Sequence, residues 1–175
     1  MTRIEAIMRT APVIPVLVIE DAAHARPIAE ALVAGGLKVL EVTLRTAAAL
    51  DVIREMTTVE GAIVGAGTVL NEADLRASLD AGAEFIVSPG LTEPLGHFKF
   101  FPASTSGGLP ALKGLAGLFG GVKFCTTGGI SLENAPDWLA AEPVLCVGGS
   151  WVVGKGVPNV AAITKAAAQA AALAS

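Results

Sequence analysis

The sequence is poor in charge, in cysteine and in long apolar runs. Only 16% of its 175 residues are charged, with 12 Lys+Arg against 16 Asp+Glu and a formal net charge of −4. It therefore lacks the basic footprint that phosphate-backbone binding needs, which excludes nucleic acid as a partner. With 53% of residues hydrophobic, it is also too apolar to be a disordered segment. No apolar run reaches the ~18 residues expected of a membrane span. Even the Ala-rich C-terminus is interrupted by Lys165 and Gln169, so no membrane partner is expected. The N-terminus does not read as a signal peptide, because Arg3, Glu5 and Arg9 break any apolar stretch. Cys125 and Cys146 each sit in an apolar run, and their spacing fits no metal or disulfide framework. They read as reduced core residues of a cytoplasmic protein.

What is present is alternation. Short Val/Ile/Phe-rich runs at Val13–Ile19, Val39–Arg45, Ala62–Thr68, Phe85–Ser88, Phe98–Pro102, Val122–Thr126 and Val144–Gly148 read as strands. Their apolar character suits parallel strands buried on both faces. Helical patterns lie between them at Ala22–Ala34, Ala47–Met56, Glu72–Ala81, Leu132–Ala140 and Val160–Leu173. Gly35-Gly36 and Gly82 are stop signals, while Asn71 and Ser131 stand where N-caps are expected. A βαβα order predicts parallel strands joined by helical crossovers. No composition break divides residues 1–175, which read as one βα-repeat domain.

One junction breaks the rhythm. After Ser88-Pro89-Gly90 the chain runs Leu91-Thr92-Glu93-Pro94-Leu95-Gly96 straight into the next strand, and Pro94 with two glycines leaves no room for a helix. An eight-stranded barrel usually needs ~200 residues or more. The seven recognisable strands thus describe a barrel shortened by about one βα unit at this junction. An antiparallel strand, an open barrel or a neighbouring chain could each accommodate the gap.

Three segments could carry chemistry. In Leu40-Glu41-Val42-Thr43-Leu44-Arg45, strand alternation puts Glu41, Thr43 and Arg45 on the face opposite the apolar residues. These polar groups would point into the barrel, either as a structural Glu–Arg pair or as a site. In His97-Phe98-Lys99-Phe100-Phe101-Pro102, Lys99 alternates with two aromatic rings. Pointing inward, its charged form would be disfavoured by desolvation, as a Schiff-base lysine requires; pointing outward, it is a snorkelling surface lysine. The turns Thr127-Gly128-Gly129-Ile130 and Gly148-Gly149-Ser150-Trp151 each follow a strand. They are simple turns or, in register on adjacent strand ends, an anion cradle at the usual phosphate site of a barrel. His24 and His97 read as incidental.

Taken together, these strings resemble the 2-keto-3-deoxy-6-phosphogluconate (KDPG) aldolases, which also cleave 4-hydroxy-2-oxoglutarate. Gly65-Ala66-Gly67-Thr68-Val69-Leu70, Val87-Ser88-Pro89-Gly90 and Phe98-Lys99-Phe100-Phe101-Pro102-Ala103 extend the resemblance over nearly the whole chain. It implies a class I aldolase, a single (β/α) barrel domain of the TIM type over residues 1–175 and a homotrimer, acting on a keto-acid phosphate without a metal or organic cofactor. By the match, Lys99 is the Schiff-base lysine and Glu41 the general acid/base. Arg45, Thr68, Pro89 and Thr127 would bind the substrate, and Gly128, Gly129, Gly149 and Ser150 would hold its phosphate. The departure is the stretch between the Gly-Leu-Thr segment and the lysine strand, where the family carries a helix, a fifth strand and another helix. Two other readings stand beside KDPG cleavage. One keeps the chemistry on 4-hydroxy-2-oxoglutarate or the galactonate-derived epimer; the other is an inactive truncated barrel or an engineered assembly subunit.

Overall fold

The structure, a computed structural model, describes residues 2–88, 97–118, 121–154 and 156–173. Seven strands follow the expected runs: β1 Val13–Leu17, β2 Val39–Thr43, β3 Ile63–Gly67, β4 Phe85–Val87, β5 His97–Phe100, β6 Lys123–Thr127 and β7 Val144–Gly149. They form one sheet in the order β4-β3-β2-β1-β7-β6-β5. Each adjacent pair is parallel, including β5 with β6, so the lysine strand is not reversed.

The sheet curls into a nearly closed barrel. In a flat sheet, the four strand spacings between β2 and β5 would separate them by about 19 Å. Instead, Lys99 Nζ of β5 lies 2.6 Å from Glu41 Oε1 of β2. The two sheet edges, β4 and β5, make no ladder with one another among the described residues. Among the described residues the barrel is therefore open at the shortened junction. Residues 89–96, which join the edges and include Pro89, lie outside the described residues.

Alternation along the strands sorts side chains into two layers. Leu40 and Val42 of β2 face outward, into the main core with Ile28 and Leu32 of α2 (Ala25–Ala34) and Val52, Ile53 and Met56 of α3 (Ala49–Thr57). Phe98 and Phe100 also pack against this layer, with ring centroids 6.4 and 6.5 Å from that of Phe124. The inward positions Ile14, Val39, Phe85, Cys125 and Cys146 make a second cluster. Ile7 and Met8 of a short N-terminal helix, α1 (Arg3–Met8), join it.

Helix α1 was not expected from the sequence, although its signal was there. Thr2 caps it by accepting from the Glu5 amide at 3.3 Å, the local geometry that Thr-x-x-Glu encodes. Helix α4 (Glu72–Asp80) is capped as expected, with Asn71 accepting from the Asp74 amide. Helix α5 (Gly108–Leu118) fills a crossover where no helix was anticipated. Its Pro110 sits in the first turn, where no intrahelical N–H is needed, but its glycines depress helix propensity and hid the pattern.

The expected cap at Ser131 is corrected. Helix α6 runs only from Ala135 to Leu139, and the Ser131 amide donates to Asn134 Oδ1 at 2.9 Å. Helix α7 (Val160–Ala171) closes the fold, with Asn159 accepting from the Ala162 amide. No helix among the described residues is long and apolar enough to cross a membrane.

Candidate active site

A cavity of about 1460 Å³ occupies the barrel interior and opens beyond the C-terminal strand ends. Glu41 and Thr43 of β2 line it, and so does Arg45, in the turn that follows the strand. Thr43 is not free for chemistry, because its buried hydroxyl donates to the Leu17 carbonyl at 2.9 Å. Glu41 is the most deeply placed charge, its side chain only 4% exposed. Both of its oxygens accept from Lys99 Nζ, at 2.6 and 2.7 Å. The lysine side chain is 18% exposed, so the pair sits at the cavity wall with little access to water. Lys99 thus points inward, and its partner is a carboxylate, while the rings of Phe98 and Phe100 pack on Phe124.

Arg45 was a possible structural partner for Glu41. It lines the cavity as an exposed side chain and makes no ion pair among the described residues. A guanidinium so placed near the mouth suits an anionic group arriving from solvent.

Thr68 also lines the cavity and is held at φ 63°, the one left-handed non-glycine among the described residues. For a β-branched residue this conformation costs about 1–3 kcal/mol, a strain often concentrated at functional sites. The sequence reading placed Thr68 here by resemblance, and its backbone adds a signal that composition could not give.

Thr127, Gly128, Gly129 and Ser150 all reach the cavity. Thr127 is buried, and its hydroxyl fits because Gly148 on the next strand has no side chain to fill that space. Gly149 does not line the cavity: the Trp151 ring covers it, and Gly148 takes its place in the wall. The glycine turn after β6 is a backbone cradle without a long helix behind it, since α6 begins only at Ala135 and spans five residues. Pro89 falls outside the described residues.

Sequence reasoning missed two participants. Cys125, read as a core residue, also lines the cavity and is the β-ladder partner of Lys99 on one side and of Cys146 on the other. The hydrogen bond from Cys146 pulls the Cys125 thiol below its usual range despite burial. The same bond, together with burial, pushes Cys146 well above it. Gly67 is the other, because it leaves the space that Glu41 fills. Among the described residues, no group of three or more His, Cys, Asp or Glu side chains could hold a metal ion.

The comparisons agree with this geometry. A 2-dehydro-3-deoxy-phosphogluconate aldolase of Zymomonas mobilis is 53% identical over 201 aligned positions, covering 98% of this chain and 97% of that protein. Those positions outnumber the 175 residues here, so part of the relative has no counterpart in this chain. The KHG/KDPG aldolase of Escherichia coli is 48% identical, over 87% of this chain and 85% of its own. A crystal structure of KDPG aldolase from Legionella pneumophila, with pyruvate captured as a covalent carbinolamine, superimposes with a TM-score of 0.91. It is 37% identical and covers 97% of this chain and 98% of that one. The model of the KDPG and KHG aldolases matches residues 4–98 and, separately, 95–166, so the match divides at the shortened junction. With an inward lysine held by both oxygens of one buried carboxylate and a family match along nearly the whole barrel, the chain belongs to the KDPG and KHG aldolase family.

Proposed function

We propose that this protein is a class I aldolase that cleaves KDPG to pyruvate and glyceraldehyde 3-phosphate. The observation that carries the reading is the Lys99–Glu41 pair, a nucleophile already hydrogen-bonded to its proton acceptor. Once Glu41 has taken a proton from Lys99, the amine attacks the C2 carbonyl and gives a carbinolamine. Glu41 then gives that proton to the departing hydroxyl, so that loss of water leaves a protonated imine, the electron sink for the next step, and Glu41 is a carboxylate again. Glu41, directly or through water, removes the C4 hydroxyl proton. The C3–C4 bond then breaks, releasing the aldehyde and leaving an enamine. Protonation at C3 and hydrolysis of the imine return pyruvate and free Lys99.

Arg45 and Thr68 would hold the pyruvyl end, with Arg45 offering a charge-assisted bond to the carboxylate, and Thr127 would contact the substrate. Gly128, Gly129 and Ser150 would hold the phosphate, and Gly149 would support that turn from behind. Pro89 is assigned to substrate by resemblance alone. Anchoring the far end lets phosphate binding energy orient the reacting carbons. Borohydride reduction in the presence of pyruvate tests the assignment. An adduct mapped to Lys99 is expected; an adduct on another lysine, or none, overturns it.

The name of the Escherichia coli relative favours a second substrate, 4-hydroxy-2-oxoglutarate, cleaved by the same lysine. Comparing pyruvate formation from the two substrates, with the galactonate-derived epimer as a third, ranks them. An inactive barrel is the competing reading, and the close Lys99–Glu41 contact across the shortened barrel speaks against it. We also propose a homotrimer in the cytoplasm. The exposed apolar residues Val18, Phe101 and Val157 at the cavity mouth, and two cysteines that are free thiols, support that reading. Light scattering checks the assembly; a monomer would overturn it.

A further inference from the structure

The segment that leaves the lysine strand is stitched to the glycine turn. The Ala103 amide donates to the Thr127 carbonyl at 2.7 Å and the Ser104 amide to the Gly128 carbonyl at 3.1 Å. The Ser104 hydroxyl lies 3.0 Å from the Gly128 carbonyl oxygen and 3.1 Å from that of Gly129, so its single proton is shared between them. The Gly129 carbonyl also accepts from Asn134 Nδ2 at 3.0 Å.

A trans peptide holds its C=O and N–H on opposite sides. With the carbonyls of Gly128 and Gly129 turned to Ser104 and Asn134, the N–H groups of Gly129 and Ile130 turn the other way. Gly128, Gly129 and Ile130 line the cavity, whereas Ser104 does not. The two glycines stand at φ 100° and 71°, conformations that glycine adopts readily but also leaves readily. Something outside the turn must select one of them.

We propose that Ser104 is a positioning residue for the phosphate end of the substrate. Its hydroxyl fixes the Gly128–Ile130 turn so that the turn's amides are preset to receive an anion. This rests on the aldolase reading above and deepens it: preference for a phosphorylated substrate is set partly by a side chain outside the cavity.

The test compares Ser104→Ala and Ser104→Thr with the unaltered protein on KDPG and on 4-hydroxy-2-oxoglutarate, which carries no phosphate. Ser104→Ala is expected to raise KM for KDPG about three- to tenfold, what one net hydrogen bond is worth. Its kcat stays within about twofold, kcat/KM for the unphosphorylated substrate is unchanged, and Ser104→Thr restores KM. Equal losses on both substrates, or an unchanged KM for KDPG, overturn the proposal. Inorganic phosphate gives a readout without turnover: it should raise Tm of the unaltered protein more than that of Ser104→Ala. Equal shifts in both, or none in either, overturn the proposal even in a chain without turnover. A normal phosphate shift without pyruvate formation overturns the aldolase reading alone.

Discussion

Gly67 makes the room in which Glu41 sits: a β-carbon at Gly67 would overlap Glu41 Oε1 and stand 3.0 Å from both Cγ and Cδ. Because Glu41 is buried and tied to Lys99 through both oxygens, it cannot yield without leaving the lysine. Gly67→Ala should therefore fold, by circular dichroism, yet lose about 100-fold in kcat, since ~1 Å of misplacement in a catalytic group can cost that much. Full activity in this variant would separate Glu41 from the chemistry.

Removing one member of the Lys99–Glu41 pair should cost more than removing both. Lys99→Met strands a carboxylate that is 4% exposed, and breaking a buried pair costs about 3–5 kcal/mol. Lys99→Met with Glu41→Gln should recover part of that loss. Urea denaturation of the three variants measures the coupling.

Thr126 carries a buried hydroxyl with no hydrogen-bond partner among the described residues. Such a group costs about 1–3 kcal/mol to bury, and Thr126→Val replaces it with a methyl of similar volume. Tm should rise by about 2–4 °C per kcal/mol recovered, read by calorimetry. A fall in Tm would mean that a partner for this hydroxyl exists in solution.

The two thiols should react in a fixed order. The neighbouring Cys146 thiol holds Cys125 below the usual cysteine range and is itself pushed well above it, so the thiolate forms first on Cys125 and on Cys146 only at higher pH. Iodoacetamide labelling followed by mass spectrometry should find the first adduct on Cys125, which lines the cavity, with a rate rising as pH climbs. Pyruvate with borohydride should protect it. Labelling of Cys146 first would overturn this order.

Much of the fold could be read from the chain because alternation and caps are local signals. The seven strands stand where apolar runs predicted them, and Leu40-Glu41-Val42-Thr43 sorted its side chains to the two faces as its pattern required. What escaped is set by distance in sequence or by weak local preference. Nothing local to Glu41 says that Lys99, rather than Arg45, takes its carboxylate; curling of the sheet decides that. Gly67 and Gly148 read as turn or strand glycines until the side chains they admit, Glu41 and Thr127, are seen beside them. The left-handed Thr68 leaves no trace in composition. Helix α5 was hidden by its own glycines, and α6 was overestimated because Ser131 looks like a cap while Asn134 supplies the bond.

Glu41 and Lys99 hang from one unbroken arc of hydrogen-bonded strands, running from β2 through β1, β7 and β6 to β5. The shortened junction lies on the opposite side, between β4 and β5, which make no ladder with one another among the described residues. Length can vary at that seam without changing the separation of the two reacting groups. The seam instead bears on the cavity, whose wall includes Val87 and Ser88 at and just beyond the end of β4.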